Sequence, residues 1–118
     1  MSSAQRRRFR TVLAVDGLGT AAYCVRAARR PRDAASLADA VGALLGWTAA
    51  VAALRSDRVG SAARWTAAGT AATLVGAAGG LVASRRSAYR PVPSVLLLGA
   101  GAALGGAYLR VLRADPSG

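Results

Sequence analysis

The chain has 118 residues, enough for one domain, and carries sixteen basic residues against five acidic ones, for a net charge of +11. Every basic residue is arginine, and histidine, lysine and glutamate are absent. Without histidine the sequence offers no Ser-His-Asp or Cys-His arrangement, and general acid–base catalysis lacks its usual groups. A single cysteine, Cys24, excludes an intrachain disulfide and a multi-cysteine metal site. We therefore expect no enzyme activity, no metal site and no cofactor.

The arginines fall into clusters that are separated by stretches nearly free of charge. The clusters are Arg6, Arg7, Arg8 and Arg10; Arg26, Arg29, Arg30 and Arg32; Arg55, Arg58 and Arg64; Arg85, Arg86 and Arg90; Arg110 and Arg113. A nucleic-acid-binding domain would spread its arginines along one surface. Charges spaced by the width of a bilayer are instead typical of membrane-protein loops, so the pattern predicts a lipid bilayer and no nucleic acid as partner.

The stretches between the clusters predict an all-α bundle of four transmembrane helices in a single membrane domain. They cover residues 11–25, 34–54, 65–84 and 91–109. A helix needs about 20 residues to cross the hydrocarbon core, and the last three stretches are long enough. The first is shorter, but Arg10 and Arg26 can extend their charged groups outward from its ends.

The arginine count also predicts an orientation. The N-terminal, middle and C-terminal clusters share one side of the membrane and hold nine arginines, against seven in the other two loops. The positive-inside rule therefore favours a cell-membrane protein with both termini in the cytoplasm.

Three other interpretations compete with this one. Residues 17–22 fit the G-x-G-x-x-A variant of a dinucleotide-binding turn, but no second strand of a βαβ unit follows. Residues 6–10 resemble a twin-arginine export signal, but no small-x-small cleavage site closes the segment. A soluble alanine-rich bundle would show a polar stripe at 3.6-residue spacing, which the third and fourth stretches lack.

Asp16 and Asp39 are the candidate proton or ligand sites, because an ionisable residue inside a bilayer is costly and usually functional. Asp16 has a simpler alternative near the headgroups, since it follows Arg10 by six residues, or about 9 Å along a helix. Asp39 has one too, because a negative charge suits the first turns of a helix. In alternating helices the two acids lie towards opposite leaflets, so we do not expect them to pair.

Small residues predict where the helices pack. Three of the four stretches place two glycines four residues apart on one helix face: Gly42 and Gly46, Gly76 and Gly80, Gly101 and Gly105. Membrane helices gain from such close backbone approach, because lipid supplies no hydrophobic force between them. The glycine faces are expected to pack within one bundle or between protomers.

Two aromatic residues adjoin arginines at the ends of predicted spans. Trp65 follows Arg64, and Tyr108 precedes Arg110 by two residues. These are the positions at which Trp and Tyr form the aromatic belts of membrane proteins. We therefore expect both side chains at the membrane interface.

The order of these features resembles a family of small, uncharacterised four-helix integral membrane proteins of actinobacteria, with a DoxX-like architecture. The resemblance rests on residues 13–16 with Tyr23 in the first span, residues 41–45 in the second, Trp65 opening the third, and a Gly/Ala fourth span ending in Leu109 and Arg110. It implies a membrane bundle without a known activity. The expected function is a non-enzymatic bundle or accessory subunit, which associates with itself or with another membrane protein through its Gly/Ala faces.

A second likeness is to the small multidrug-resistance transporters. Those proteins are also four-helix chains of this length with an acid in the first helix, where Asp16 stands here. They use glutamate and aromatic-rich binding faces, whereas this chain has aspartate and few aromatic residues. The alternative function that this likeness implies is a proton-coupled exporter using Asp16.

Overall fold

The computed structural model describes residues 2–85 and 91–113, and these form four α-helices. Helix α1 covers Ser3–Arg29, α2 covers Ala34–Arg55, α3 covers Val59–Ser84 and α4 covers Val92–Arg113. No strand occurs within the described ranges, which confirms the predicted all-α class. Arg86 and Arg90 of the fourth arginine cluster lie outside the described residues, as does the C-terminal tail from residue 114.

Helices α2, α3 and α4 are each long and apolar enough to cross a membrane. Large aliphatic side chains cover their outer faces, with Val75 72% exposed and Leu96 62% exposed. Exposed apolar patches of this kind are unusual on a soluble monomer and normal against lipid. Helix α1 does not reach the same apolar character, because Asp16 and Arg26 interrupt its apolar stretch. Three of the four predicted spans therefore have the length and composition of a membrane helix.

Helix α1 begins eight residues before the predicted span. Ser2 accepts a hydrogen bond from the backbone N–H of Gln5, and the Gln5 side chain accepts one from the backbone N–H of Ser2. This capping box satisfies two N–H groups that a helix terminus leaves free, and it fixes the start of the helix. Residues 6–10 are consequently helical, so the first arginine cluster extends from a rigid helix.

The contact between α2 and α3 is the most extensive in the bundle and is made by glycines. A Cβ atom added to Gly76 would lie 2.6 Å from the Cα of Gly42, and one added to Gly42 would lie 2.8 Å from the Cα of Gly76. Real Cβ atoms do not approach backbone so closely. Only glycine at both positions lets the two backbones meet, an arrangement that is typical of small-residue interfaces between membrane helices.

The other four predicted glycines also lie at contacts within this chain. Gly46 faces Thr73, Gly80 faces Asp39 and Ser94, Gly101 faces Thr73 and Gly105 faces Thr70. The Thr73 hydroxyl donates to the Gly42 carbonyl at 3.1 Å, which adds an interhelical hydrogen bond to the α2–α3 contact. All six glycines are therefore occupied inside the bundle and are closed to a second chain.

Helix α1 is attached to its neighbours by hydrogen bonds from side chains to backbone carbonyl groups. Arg6 Nη1 donates to the Leu54 carbonyl at 2.9 Å, and Gln5 Nε2 donates to the Val111 carbonyl at 3.2 Å. Farther along, Trp47 Nε1 donates to the Leu13 carbonyl at 3.1 Å. The first two bonds satisfy carbonyls in the last turns of α2 and α4, where positive charge also suits the helix dipole.

We expect Gly76→Ala to destabilise the protein by about 1–3 kcal/mol, because the new methyl group collides with the α2 backbone. Gly79→Ala is the matched control on the same helix, since its Cβ would meet only the Ala38 methyl group at 3.8 Å. This control should be neutral or stabilising by about 0.5–1 kcal/mol, the usual gain of alanine over glycine in a helix. Unfolding by SDS in mixed micelles, followed by circular dichroism, measures both. Equal stability of the two variants would contradict the close contact.

Candidate functional site

All four helices line a cavity of about 60 Å³ in the middle of the bundle. Its wall is apolar for the most part, formed by residues such as Ala43, Leu97 and Leu104. The polar side chains that reach it are Asp16, Thr20, Tyr23, Thr66, Thr70, Thr73 and Tyr108. We call this space the Asp16 cavity, since Asp16 is its only charged lining residue among those that the structure describes.

Asp16 points into the bundle and meets Tyr108 of α4. The Tyr108 hydroxyl donates to Asp16 Oδ2 at 2.7 Å. The Phe9 ring holds the Tyr108 ring in place, with their centroids 4.7 Å apart and their planes tilted by 37°. Tyr108 is only 3% exposed, so its predicted place at the membrane interface is wrong, whereas Trp65 is 49% exposed on the outer face of α3.

Neutral groups surround the Asp16 carboxylate. Besides Tyr108, the Thr20 hydroxyl lies beside it. In the described part of the chain, no arginine forms an ion pair with Asp16. A carboxylate that is removed from water without a cationic partner is costly, and a bound proton or a small cation would relieve that cost.

Asp39 belongs to a second polar cluster, formed with α4. Its side chain is fully buried, and the Ser94 hydroxyl lies 2.9 Å and 3.0 Å from its two carboxylate oxygens. Gly80 of α3 leaves room for this pair, because any side chain there would collide with both. Asp16 and Asp39 thus have different hydrogen-bond partners, Tyr108 and Ser94, and both partners belong to α4.

Tyr23 closes the opposite end of the seam between α1 and α4. Its hydroxyl donates to the carbonyl of Pro93, one residue before Ser94. Helices α1 and α4 otherwise make a slight contact compared with the α2–α3 pair. Two tyrosines therefore bridge α1 and α4, one at Asp16 and one near Asp39.

The volume of the Asp16 cavity limits what it can hold in this conformation. A buried water needs roughly 10–15 Å³ of such space, so the cavity accommodates a few waters or a small ion. A drug-sized ligand needs a pocket of about 300–1,000 Å³. The arrangement can therefore hold and exchange a proton, water or a small cation at Asp16, and it has no room for a large lipophilic compound.

Sequence reasoning missed Tyr108 and Ser94 as partners of the two acids. Both lie on the face of α4 that carries Gly101 and Gly105. Buried residues of this face are Ser94, Leu97, Gly101, Gly105, Tyr108 and Leu112. These residues follow each other at intervals of three or four, the spacing of one helix face. The burial of Tyr108 could therefore have been predicted from the glycine pair, because Tyr108 lies on the same helix face and that face packs inward.

Neither a protein-family model, nor a curated protein, nor a solved structure matches this chain.

We expect the Tyr108–Asp16 hydrogen bond to give a coupling energy of about 0.5–1.5 kcal/mol in a double-mutant cycle. The variants are Tyr108→Phe, which keeps the ring against Phe9, Asp16→Ala, which removes the acceptor, and the two together. Each single change removes the bond, so the double variant should lose little more than either one. Unfolding of the four proteins in mixed micelles measures the coupling. Strictly additive losses would show that the bond contributes nothing.

Proposed function

We propose that this chain is a four-span integral protein of the cell membrane, with both termini in the cytoplasm. The observation that carries the proposal is the outer surface of α2, α3 and α4, which presents large aliphatic side chains to the surroundings over the length of a bilayer. Four hydrogen bonds from side chains of α1 or of its neighbours support α1 as the fourth span, because they hold it along the other three helices.

We further propose that the protein works as a non-enzymatic bundle or accessory subunit that associates through a Gly/Ala helix face. The six glycines of the predicted faces are occupied internally, so a different face has to serve. Helix α4 offers one in Gly99, Ala103 and Gly106, which are exposed at intervals of four and three, and a Cβ on either glycine would meet no neighbouring atom within 4 Å. The likeness to DoxX-like membrane proteins belongs to this proposal.

A second candidate function is a proton-coupled exporter that uses Asp16, as in the small multidrug-resistance transporters. The observation in its favour is the position of Asp16, which lies at an interior cavity between all four helices and has only neutral hydrogen-bond partners. The cavity volume narrows the substrate class to small cations. Larger compounds would require an opening of the seam between α1 and α4.

Membrane topology is tested by cysteine labelling in a Cys24→Ser background. We expect Arg32→Cys to react with a membrane-impermeant maleimide in intact cells, and Ser3→Cys and Asp57→Cys to react only after permeabilisation, because each helix reverses the side. All three positions are exposed. Labelling of Ser3→Cys and Arg32→Cys from the same side would show that α1 does not cross the membrane. If Ser3→Cys and Asp57→Cys react in intact cells and Arg32→Cys does not, the orientation is the reverse of the one proposed.

Association is tested by the mass of the complex extracted from its own membrane in mild detergent. We expect Gly106→Leu to reduce that mass to the single chain of 11.8 kDa plus detergent, because a large side chain there keeps a second helix away. Ala78→Leu on the exposed face of α3 is the control and should leave the complex intact. A complex that survives Gly106→Leu would remove this α4 face from the proposal.

The exporter is tested by uptake of tetramethylammonium into proteoliposomes with an acidic interior. We expect Asp16→Asn to abolish the proton-driven uptake, because the amide cannot bind and release a proton at neutral pH. Asp57→Asn removes an exposed carboxylate between α2 and α3 and should retain the uptake. Equal uptake by wild type and Asp16→Asn, or none above empty liposomes by wild type, would eliminate the exporter.

A further inference from the structure

We propose that the outer face of α1 binds one anionic phospholipid, whose phosphate lies among Arg6, Arg7 and Arg10 and whose acyl chain follows Val15 and Leu18. The inference rests on the membrane location proposed above. It assigns a ligand to a surface that neither the Asp16 cavity nor the glycine contacts use.

A groove along α1 brings these residues together. Arg6, Arg7 and Arg10 line one end, and Ala14, Val15 and Leu18 line the other. Arg7, Ala14 and Leu18 recur at intervals of seven and four, which places them on one side of the helix. Because the capping box extends α1 to Ser3, the arginines stand on the same rigid helix as the aliphatic residues.

The arginines are arranged for a phosphate group. Arg7 and Arg10 are exposed, and Arg6 is held at the edge of the groove by its bond to the Leu54 carbonyl. A guanidinium group binds phosphate oxygens through two parallel N–H bonds, which gives a tighter and more specific contact than a point charge. The N-terminal end of α1 adds a positive partial charge on the same side.

The charge at this end of the bundle also selects an anion. The helix ends gathered there carry nine arginines: Arg6, Arg7, Arg8, Arg10, Arg55, Arg58, Arg64, Arg110 and Arg113. Asp57 is the single acid at this end in the described part of the chain. Asp16 lies on α1 but turns towards Tyr108, so its carboxylate does not face the groove. Anionic lipids concentrate at such basic surfaces, because each arginine near the headgroups attracts their negative charge.

The apolar half of the groove has the length of an acyl chain segment in one leaflet. Leu18 follows Arg10 by eight residues, or about 12 Å along the helix. One leaflet contributes about 15 Å of hydrocarbon, half of the bilayer core. Val15 is 56% exposed and Leu18 75% exposed, so both remain available beside the headgroup site. The groove at the opposite end of α1, between Tyr23 and Leu96, contains one arginine, Arg26.

The test is lipid binding by the purified full-length protein in neutral detergent, followed by native mass spectrometry. We expect wild type to retain phosphatidylglycerol about tenfold or more in preference to phosphatidylcholine of the same chain length. Arg7→Gln with Arg10→Gln should remove this preference. Arg29→Gln with Arg32→Gln removes two exposed arginines at the other end and should preserve it. The helical circular dichroism of every variant is compared with that of wild type.

Several outcomes would overturn the site. Equal loss in the two double variants would indicate a diffuse effect of net charge, and no lipid preference in wild type would remove the site altogether. Full displacement of phosphatidylglycerol by an equal concentration of glycerol phosphate would show a free-anion site without the acyl part. Leu18→Ser should weaken phosphatidylglycerol retention and leave any glycerol phosphate binding unchanged. The cysteine-labelling pattern separates these failures from a failure of the membrane location itself.

Discussion

The close backbone contact between Gly42 and Gly76 is the constraint on which the rest of the bundle depends. It brings α2 and α3 into the most extensive helix pair of the chain, and Thr73 adds a hydrogen bond across it. In lipid, where apolar side chains gain nothing from leaving the solvent, packing of this kind supplies much of the association energy. The α2–α3 pair therefore serves as the platform to which the other two helices are added.

Helix α4 joins this platform through a mixed face of small and polar residues. Gly101 and Gly105 fit against threonines of α3, while Ser94 and Tyr108 bond to the two interior carboxylates. Beside these contacts, the Asp16 cavity lies between the four helices. The face of α4 that packs against α3 therefore also supplies part of the cavity wall, through Gly101, Gly105 and Tyr108.

The number of helices and the apolar character of three of them could be predicted from the sequence, because they depend on local composition alone. The start of α1 was also encoded locally, in the pair Ser2 and Gln5 that forms the capping box, although the predicted span began only at residue 11. The helices that the glycines contact could not be predicted, since two glycines spaced four residues apart define a helix face but not the helix that packs against it. The burial of Tyr108 depended on the same packing of α4 against the other helices, whereas the nearby Arg110 suggested a position at the membrane interface.

Helix α1 differs from the other three in what holds it. Its apolar stretch is interrupted by charge, and a Cβ atom on Gly19 would meet no neighbouring atom within 4 Å. Directional bonds run from Arg6 at one end to Tyr23 near the other, with Trp47 and Tyr108 between them, and they add to the packing of Phe9 in the core. Both the cavity-facing carboxylate and the basic outer groove belong to this helix, so the geometry of both surfaces depends on the bonds and the packing that hold α1 against its neighbours.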